Sequence, residues 1–330
     1  MMEDRLDPQY GDGNRAFLQA MMANGSMSQK EVRGLVAAIW NADDEGESNY
    51  RVSEVSDEDT KHFLDTASQA ASLFDYEIRT SVHQITKQRI YAFVNTTSDP
   101  QTQLATTFTA DELSFIKRVF DAMFDKYNTP RAEVMALTIA EARKFARPNR
   151  RESQGINVED GQEPTPTQAV DKGLRHSEVE DVLGILVEGG WLEQSREGYY
   201  SLSQRGLLEL RPWLVDTYND PDAEPNEWQR IKFCDACKDL VTMGLRCADP
   251  DCLFRLHDAC ESSFWRTRRD QTCPKCSKEW EGKLYVGERA RTMTNAYQKR
   301  KSRPSGGRLS TQAPVGEEDE ETDEDDAELE

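Results

Sequence analysis

Seven cysteines and one histidine crowd a single stretch: Cys234-x2-Cys237-x9-Cys247-x4-Cys252-x4-His257-x2-Cys260-x12-Cys273-x2-Cys276. No cysteine lies elsewhere in the 330 residues, and an odd number would leave one thiol outside any disulfide framework. Thiols and an imidazole at these intervals are metal ligands. A two-residue knuckle lets both side chains converge on one ion, and thiolate and imidazole suit zinc. Eight ligands serve two tetrahedral zinc ions with no open position, so the metal is expected to be structural and metal-assisted hydrolysis is excluded. A segment of about 45 residues buries too little surface to fold alone. Zinc binding is therefore expected to supply its folding free energy.

The ligand order, four cysteines, one histidine, three cysteines, fits both the PHD finger and the RING family. In either cross-brace, ligand pairs alternate between two ions. Cys234, Cys237, His257 and Cys260 hold one, and Cys247, Cys252, Cys273 and Cys276 hold the other. PHD fingers usually carry an aromatic two residues before the penultimate cysteine, where this chain has Gln271. The last knuckle, Cys273-Pro274-Lys275-Cys276, is similar to that of RING domains, and the balance falls on a RING-like domain over 231–282.

The rest of the chain must position this cluster. Phe17, Leu18, Met21 and Met22 recur at helical spacing over Arg15–Ala23, with Gly25 as the stop. Ser28 with Glu31, and Ser56 with Asp59, are capping signals opening two more helices. Tyr76–Gln84 and Arg89–Thr97 alternate apolar and polar residues across a short polar link, which predicts a hairpin. Three helices and a hairpin over 14–100 read as a winged-helix unit. The pattern repeats over 107–218. Thr109 with Glu112 caps one helix, a second is predicted from Arg131 to Phe145, and Ser177 with Glu180 opens a third that stops at Gly189-Gly190. Trp191-Leu192 and Tyr199–Leu202 flank a turn, and Ser203 begins a closing helix. Residues 148–174, rich in Pro, Gly, Gln and Glu, read as a disordered insertion. A Pro/Asp/Glu linker over 219–230 precedes the zinc segment, and 283–330 read as a disordered tail, basic at Lys299–Arg303 and then acidic. The predicted fold class is multidomain, mainly α with small β: tandem winged-helix units, a two-zinc cross-brace RING-like domain and a tail.

Charge narrows the function. Of the net −20, the 11 acidic residues between Glu317 and Glu330 carry −11, which leaves −9 for the body. That argues against broad nucleic-acid binding, which needs a basic footprint, and leaves room for a local basic patch. The third predicted helix of the second unit carries Glu178, Glu180, Asp181 and Glu188 and no Lys or Arg between Ser177 and Gly190. In the first unit, Lys61 faces Asp57, Glu58, Asp59 and Asp65. Such helices repel phosphate, so these units are expected to bind protein, with DNA contacted only indirectly through partners. The acidic N-terminus and the lack of a long apolar run predict no signal peptide and no membrane partner. His62, His83 and His176 lack ligand-spaced neighbours. No Ser/His/Asp set is visible, and Gly11-Asp12-Gly13 lacks the strand and helix a phosphate loop needs.

Two winged-helix units ahead of a RING-like domain ending in Cys273-Pro274-Lys275-Cys276, together with Gly190-Trp191-Leu192 and Tyr200-Ser201-Leu202, resemble one family. It is the non-SMC element 1 family, the RING-like subunits of the structural-maintenance-of-chromosomes 5/6 complex, and the resemblance covers about Phe17 to Gly282. The resemblance implies a nuclear role in DNA repair and recombination. It implies winged helices that bind a MAGE-type partner, the non-SMC element 3 subunit, and a pair that docks on the kleisin, non-SMC element 4. It also implies a ubiquitin ligase with no covalent catalytic residue, which holds a ubiquitin-charged conjugating enzyme so that a lysine can attack the thioester. The matching conjugating-enzyme contacts are Ala236, Trp265 and Pro274. Ala236 is smaller than the usual apolar side chain, and Ser277 stands where many active RINGs place Arg or Lys, so activity is expected to need the MAGE-type partner. A non-catalytic assembly role is the alternative, and a PHD-like chromatin reader is a third.

Overall fold

Gly11 precedes the first helix, α1 (Asp12–Asn24), which Gly25 ends at φ 68°. After the short strand β1 (Ser26–Ser28), α2 (Gln29–Asp43) opens on Ser28, whose hydroxyl accepts the Glu31 amide while the Glu31 carboxylate takes the Ser28 amide. The same reciprocal cap, Ser56 with Asp59, opens α3 (Asp57–Ala71). Each cap satisfies amides that the first helical turn leaves unpaired. The strands β2 (Tyr76–Val82) and β3 (Arg89–Asn95) pair with Ile78 opposite Phe93, and β1 joins the far edge of β3. The sheet order is β1-β3-β2. Phe17, Met21, Val36, Phe63 and Tyr91 fill the core between helices and sheet.

This computed structural model describes residues 10–44, 49–96, 104, 107–148, 171–224, 227–268 and 270–302. Of the disordered insertion expected over 148–174, residues 149–170 lie outside these residues, as do the acidic segment from Glu317 and Arg303 of the basic run. The end of that insertion is corrected: Asp171 pairs with Arg118, and the amide of buried Leu174 donates to the Ala146 carbonyl at 2.7 Å.

The second unit repeats the plan with differences. Thr109 caps α4 (Ala110–Asp121), which widens into a π-type turn over Ala122–Lys126. A helix predicted over 131–145 forms only in its last part. Thr129 and Ala132 exchange backbone bonds, Met135 takes φ 44°, and Leu137–Thr138 become strand β4 before α5 (Ile139–Ala142) starts. Leu137 and Thr138 are drawn into pairing with Tyr200 and Tyr199, and that overrides local helical preference. The next helix, α6 (His176–Glu188), begins two residues ahead of the Ser177–Glu180 signal, capped from Arg175 to Glu178. Glu180 is engaged instead by Arg143. Strands β5 (Leu192–Gln194) and β6 (Tyr199–Leu202) follow, then α7 (Gln204–Tyr218), capped by Ser203. The units touch directly: Arg79 donates to the Leu208 carbonyl at 2.9 Å, and Gln204 to the Ser81 hydroxyl at 2.7 Å.

The described residues of the predicted linker, 219–224 and 227–230, fold back on the domain. Asn219 exchanges two hydrogen bonds with the Ile231 backbone, at 2.7 and 3.0 Å, and Arg230 pairs with Asp125. The zinc segment adds β7 (Gly244–Arg246), β8 (Arg255–Leu256) and α8 (Asp258–Arg266). Its hydrophobic core is continuous with that of the second unit, from Phe115 and Leu186 through Leu245 and Phe254.

The expectation of a disordered tail from 283 is corrected for 283–302. Tyr285–Val286 form β9, pairing with Leu245 and Gly244 to give the order β8-β7-β9. Two short helices follow, α9 (Arg289–Thr292) and α10 (Asn295–Lys301). Charged residues that suggested solvation locally find distant partners: Arg289 meets Asp258, Arg291 meets Glu141, and Lys301 meets Glu197.

Candidate metal centre

Two knuckles of the same shape present four of the eight ligands. In the first, the Cys234 amide donates to Asp239 O at 2.8 Å and the Lys238 amide returns to Cys234 O at 2.9 Å. In the last, the Cys273 amide donates to Lys278 O at 2.7 Å and the Ser277 amide to Cys273 O at 2.8 Å. Lys238 and Ser277 both take left-handed backbone, φ 65° and 59°. That turn swings two thiols to one side of a tight loop. The knuckle nature of Cys273-Pro274-Lys275-Cys276, legible in sequence, is thus a specific backbone geometry.

Between the knuckles, His257 precedes α8, and Cys260 sits in its first turn. The structure gathers Cys234, Cys237, His257 and Cys260 into one group, and Cys247, Cys252, Cys273 and Cys276 into another, with ligand atoms in each group within 4.8 Å of one another. Four sulfurs around zinc at 2.3 Å stand about 3.7 Å apart. Cys247–Cys276 and Cys252–Cys273 measure 3.4 and 3.6 Å between sulfurs, and His257 Nδ1 lies 3.3 Å from Cys237 Sγ and 3.9 Å from Cys260 Sγ. The other ring nitrogen, Nε2, sits 3.0 Å from the Leu240 carbonyl. Donating there fixes the tautomer that leaves the Nδ1 lone pair for metal. The donor set fits zinc in both groups. Each group supplies four protein ligands, so neither has a position for water or substrate, and both ions are structural.

Between the two groups lies Arg255, fully buried. Its carbonyl accepts the Asp235 amide of the first knuckle at 3.0 Å, and its guanidinium donates to the Cys252 and Phe254 carbonyls at 2.7 Å. The same guanidinium grips Glu133 of the second unit at both carboxylate oxygens, one of them at 2.8 Å. Lys232 and Arg246 also reach Glu133, at 3.1 and 3.5 Å. Burial by itself would raise the Glu133 pKa, but hydrogen bonding and charge from Arg255, with help from Lys232 and Arg246, hold it down at about 2. Arg255 and Arg246 bring two positive charges to this one carboxylate, and burial, opposed by Glu133, pushes the third partner, Lys232, down to about 7. Sequence reasoning missed this cluster: Glu133 and Arg255 are 122 positions apart, and no local pattern links them.

The three expected conjugating-enzyme contacts fall in different environments. Ala236 and Pro274 are exposed on the two knuckles. A Lys275–Asp235 ion pair at 3.3 Å ties those knuckles side by side. Trp265 is only 8% exposed and packs against Phe254, Phe264 and Trp280 at ring separations of 6.0, 5.1 and 5.5 Å. As a direct contact it is corrected: the aromatic face is spent on the core of a small domain. A second feature escaped sequence reasoning. Gln84, at the hairpin tip of the first unit, is buried against Thr242, Met243 and Ala259 of the zinc domain.

Comparison with known proteins agrees with this layout. Residues 14–210 match the family described as "Nse1 non-SMC component of SMC5-6 complex", and 234–276 match a RING-like domain family. A human protein, "Non-structural maintenance of chromosomes element 1 homolog", is 24% identical over 269 residues, covering 82% of this chain and 84% of that one. A Schizosaccharomyces pombe relative, "Non-structural maintenance of chromosomes element 1", is 24% identical over 216 residues, covering 65% and 74%. A solved structure described as "Nse1-Nse3-Nse4 complex" shares the fold at a TM-score of 0.61 and 20% identity, over 83% of this chain and 99% of that one. With more than half of the 330 residues inside the family match and the RING-like match running from the first zinc ligand to the last, the chain belongs to the Nse1 family of non-SMC components of the SMC5-6 complex.

Proposed function

We propose that this chain is the RING-type ubiquitin ligase subunit of a chromosome-maintenance 5/6 complex in the nucleus, acting in DNA repair and recombination. The observation that carries the ligase reading is the pair of cross-braced ligand groups, with Ala236 and Pro274 exposed on knuckles that the Asp235–Lys275 pair holds together. That surface would receive a ubiquitin-charged conjugating enzyme, and Trp265 supports it from the core. No residue of this chain forms a bond to ubiquitin. Holding the thioester where a substrate lysine can attack is a positioning effect. Each unit runs helix, strand, two helices and a hairpin, with sheet orders β1-β3-β2 and β4-β6-β5, which supports reading both N-terminal units as winged helices. We assign to them the MAGE-type non-SMC element 3 partner and, through that pair, the kleisin non-SMC element 4. The similar solved structure carries both names in its description.

A second reading, a non-catalytic assembly subunit, is favoured by the way Gln84 and Glu133 embed the RING-like domain in the rest of the chain. Lysine discharge from a ubiquitin-charged conjugating enzyme separates the two. The assay uses the full chain alone and with its MAGE-type partner. Acceleration that needs the partner and is lost in Pro274→Ala supports the ligase. Equal discharge with and without the chain, across a broad enzyme panel, leaves the assembly role.

A further inference from the structure

Where α9 and α10 lie against the RING-like domain, they help close a cavity of about 490 Å³. Arg131, Arg246, Lys283 and Arg289 line it, Leu284 and Met293 give it apolar surface, and no carboxylate is among its lining residues. Two of the cations are braced from behind, Arg246 by Glu133 and the Pro130 carbonyl, and Arg289 by Asp258. The other two stand open. Arg131 is exposed, and the Lys283 side chain is 78% exposed with Glu281 at 3.6 Å. Leu284 and Met293 are 45% and 51% exposed, uncovered apolar surface between positive charges.

We propose that the acidic C-terminal segment of this same chain, Glu317–Glu330, docks in this cavity. Charge complementarity is the first argument: 11 of those 14 residues are acidic, and the charged side chains lining the cavity are all cations. Pattern is the second. Ala327 and Leu329 interrupt the acids, which gives Leu284 and Met293 apolar partners. Reach is the third. Asn295 lines the cavity and starts α10, which spans about 10 Å over its seven residues. The 14 residues from Arg303 to Gly316 can extend to about 46–50 Å, several times the distance needed to return. Tethering keeps the effective concentration high, while salt weakens the contact.

Zero-length carbodiimide coupling on the full-length chain tests this, read by mass spectrometry. The reagent joins a carboxylate to a lysine amine with loss of water. Beyond the neighbouring Lys299 and Lys301, Lys283 is the expected main partner of the tail carboxylates, and Arg131→Glu should cut its yield at least five-fold. A second cavity, about 590 Å³ in the first unit, also has four lining cations, among them Lys30 and Lys87, and no lining carboxylate. Coupling to Lys30 and Lys87 as often as to Lys283 overturns the placement, as does a yield at Lys283 indifferent to Arg131→Glu. Neutralising the tail acids to Gln and Asn should raise amide exchange over 284–295 several-fold, and unchanged exchange also counts against docking.

Discussion

The side chain of Gln84 donates to Thr242 Oγ1 at 3.1 Å and accepts the Thr242 amide at 3.0 Å, joining the hairpin of the first unit to the zinc domain. It also accepts the Met243 amide at 2.8 Å, and the main-chain carbonyl of Gln84 takes the Ala259 amide at 3.2 Å. Ala259 lies in the first turn of α8, between His257 and Cys260. An amide that a helix start leaves unpaired is thus satisfied from 175 residues upstream. Gln84→Ala should leave buried amides without partners and cost about 1–3 kcal/mol. Hydrogen exchange at Thr242 and Met243 measures it, and protection equal to wild type would mean the clamp is dispensable.

Glu133 is the lone carboxylate among Arg255, Arg246 and Lys232. Breaking a buried ion cluster by removing its one anion costs about 3–5 kcal/mol, because the cations stay buried. Glu133→Gln should therefore shift the denaturation midpoint strongly, whereas the same change at exposed Glu281 should leave it within about 0.5 kcal/mol.

Zinc removal should not leave the remainder intact. The sequence sets the zinc segment apart at 231–282, but its core merges with that of the second unit. Chelation, or His257→Ala, should abolish the near-ultraviolet dichroism of the Phe254–Trp265–Trp280 cluster and loosen the second unit as well. The separate core around Phe17 and Phe63 should persist. Metal analysis should return two zinc ions per chain before treatment. Retention of second-unit exchange protection in the metal-free protein would contradict the shared core.

Glu193 on β5 gives a pH dependence. Burial, with the charge of Glu288 adding to it, pushes its pKa up to about 7. The folded state therefore favours the protonated form, and the associated stability is complete below the ordinary carboxylate value and is lost as pH rises through about 7. Wild type should be less stable at pH 8 than at pH 5.5 by on the order of 2 kcal/mol from this group. Glu193→Gln should remove that loss at pH 8 and change little at pH 5.5. Parallel melting curves for the two proteins across the range would disprove it.

The zinc ligands were legible in sequence because a knuckle is a local object: two residues between cysteines suffice to set convergence, whatever surrounds them. The caps Ser28–Glu31, Ser56–Asp59 and Thr109–Glu112 were legible for the same reason, since each bond closes over three residues. Tertiary structure decided the rest. Leu137–Thr138 became strand because Tyr199–Tyr200 offered an open edge. Residues 285–301 became ordered because Gly244–Leu245, Asp258, Glu141 and Glu197 were there to receive them. Trp265 moved from a surface role to the core because Phe254 and Trp280 close over it. Glu133–Arg255 and Gln84–Thr242 join residues 122 and 158 positions apart, and no periodicity or spacing carries that information. Contacts closed within one turn or knuckle depend on local residue types, whereas contacts across the chain depend on which surfaces folding brings together.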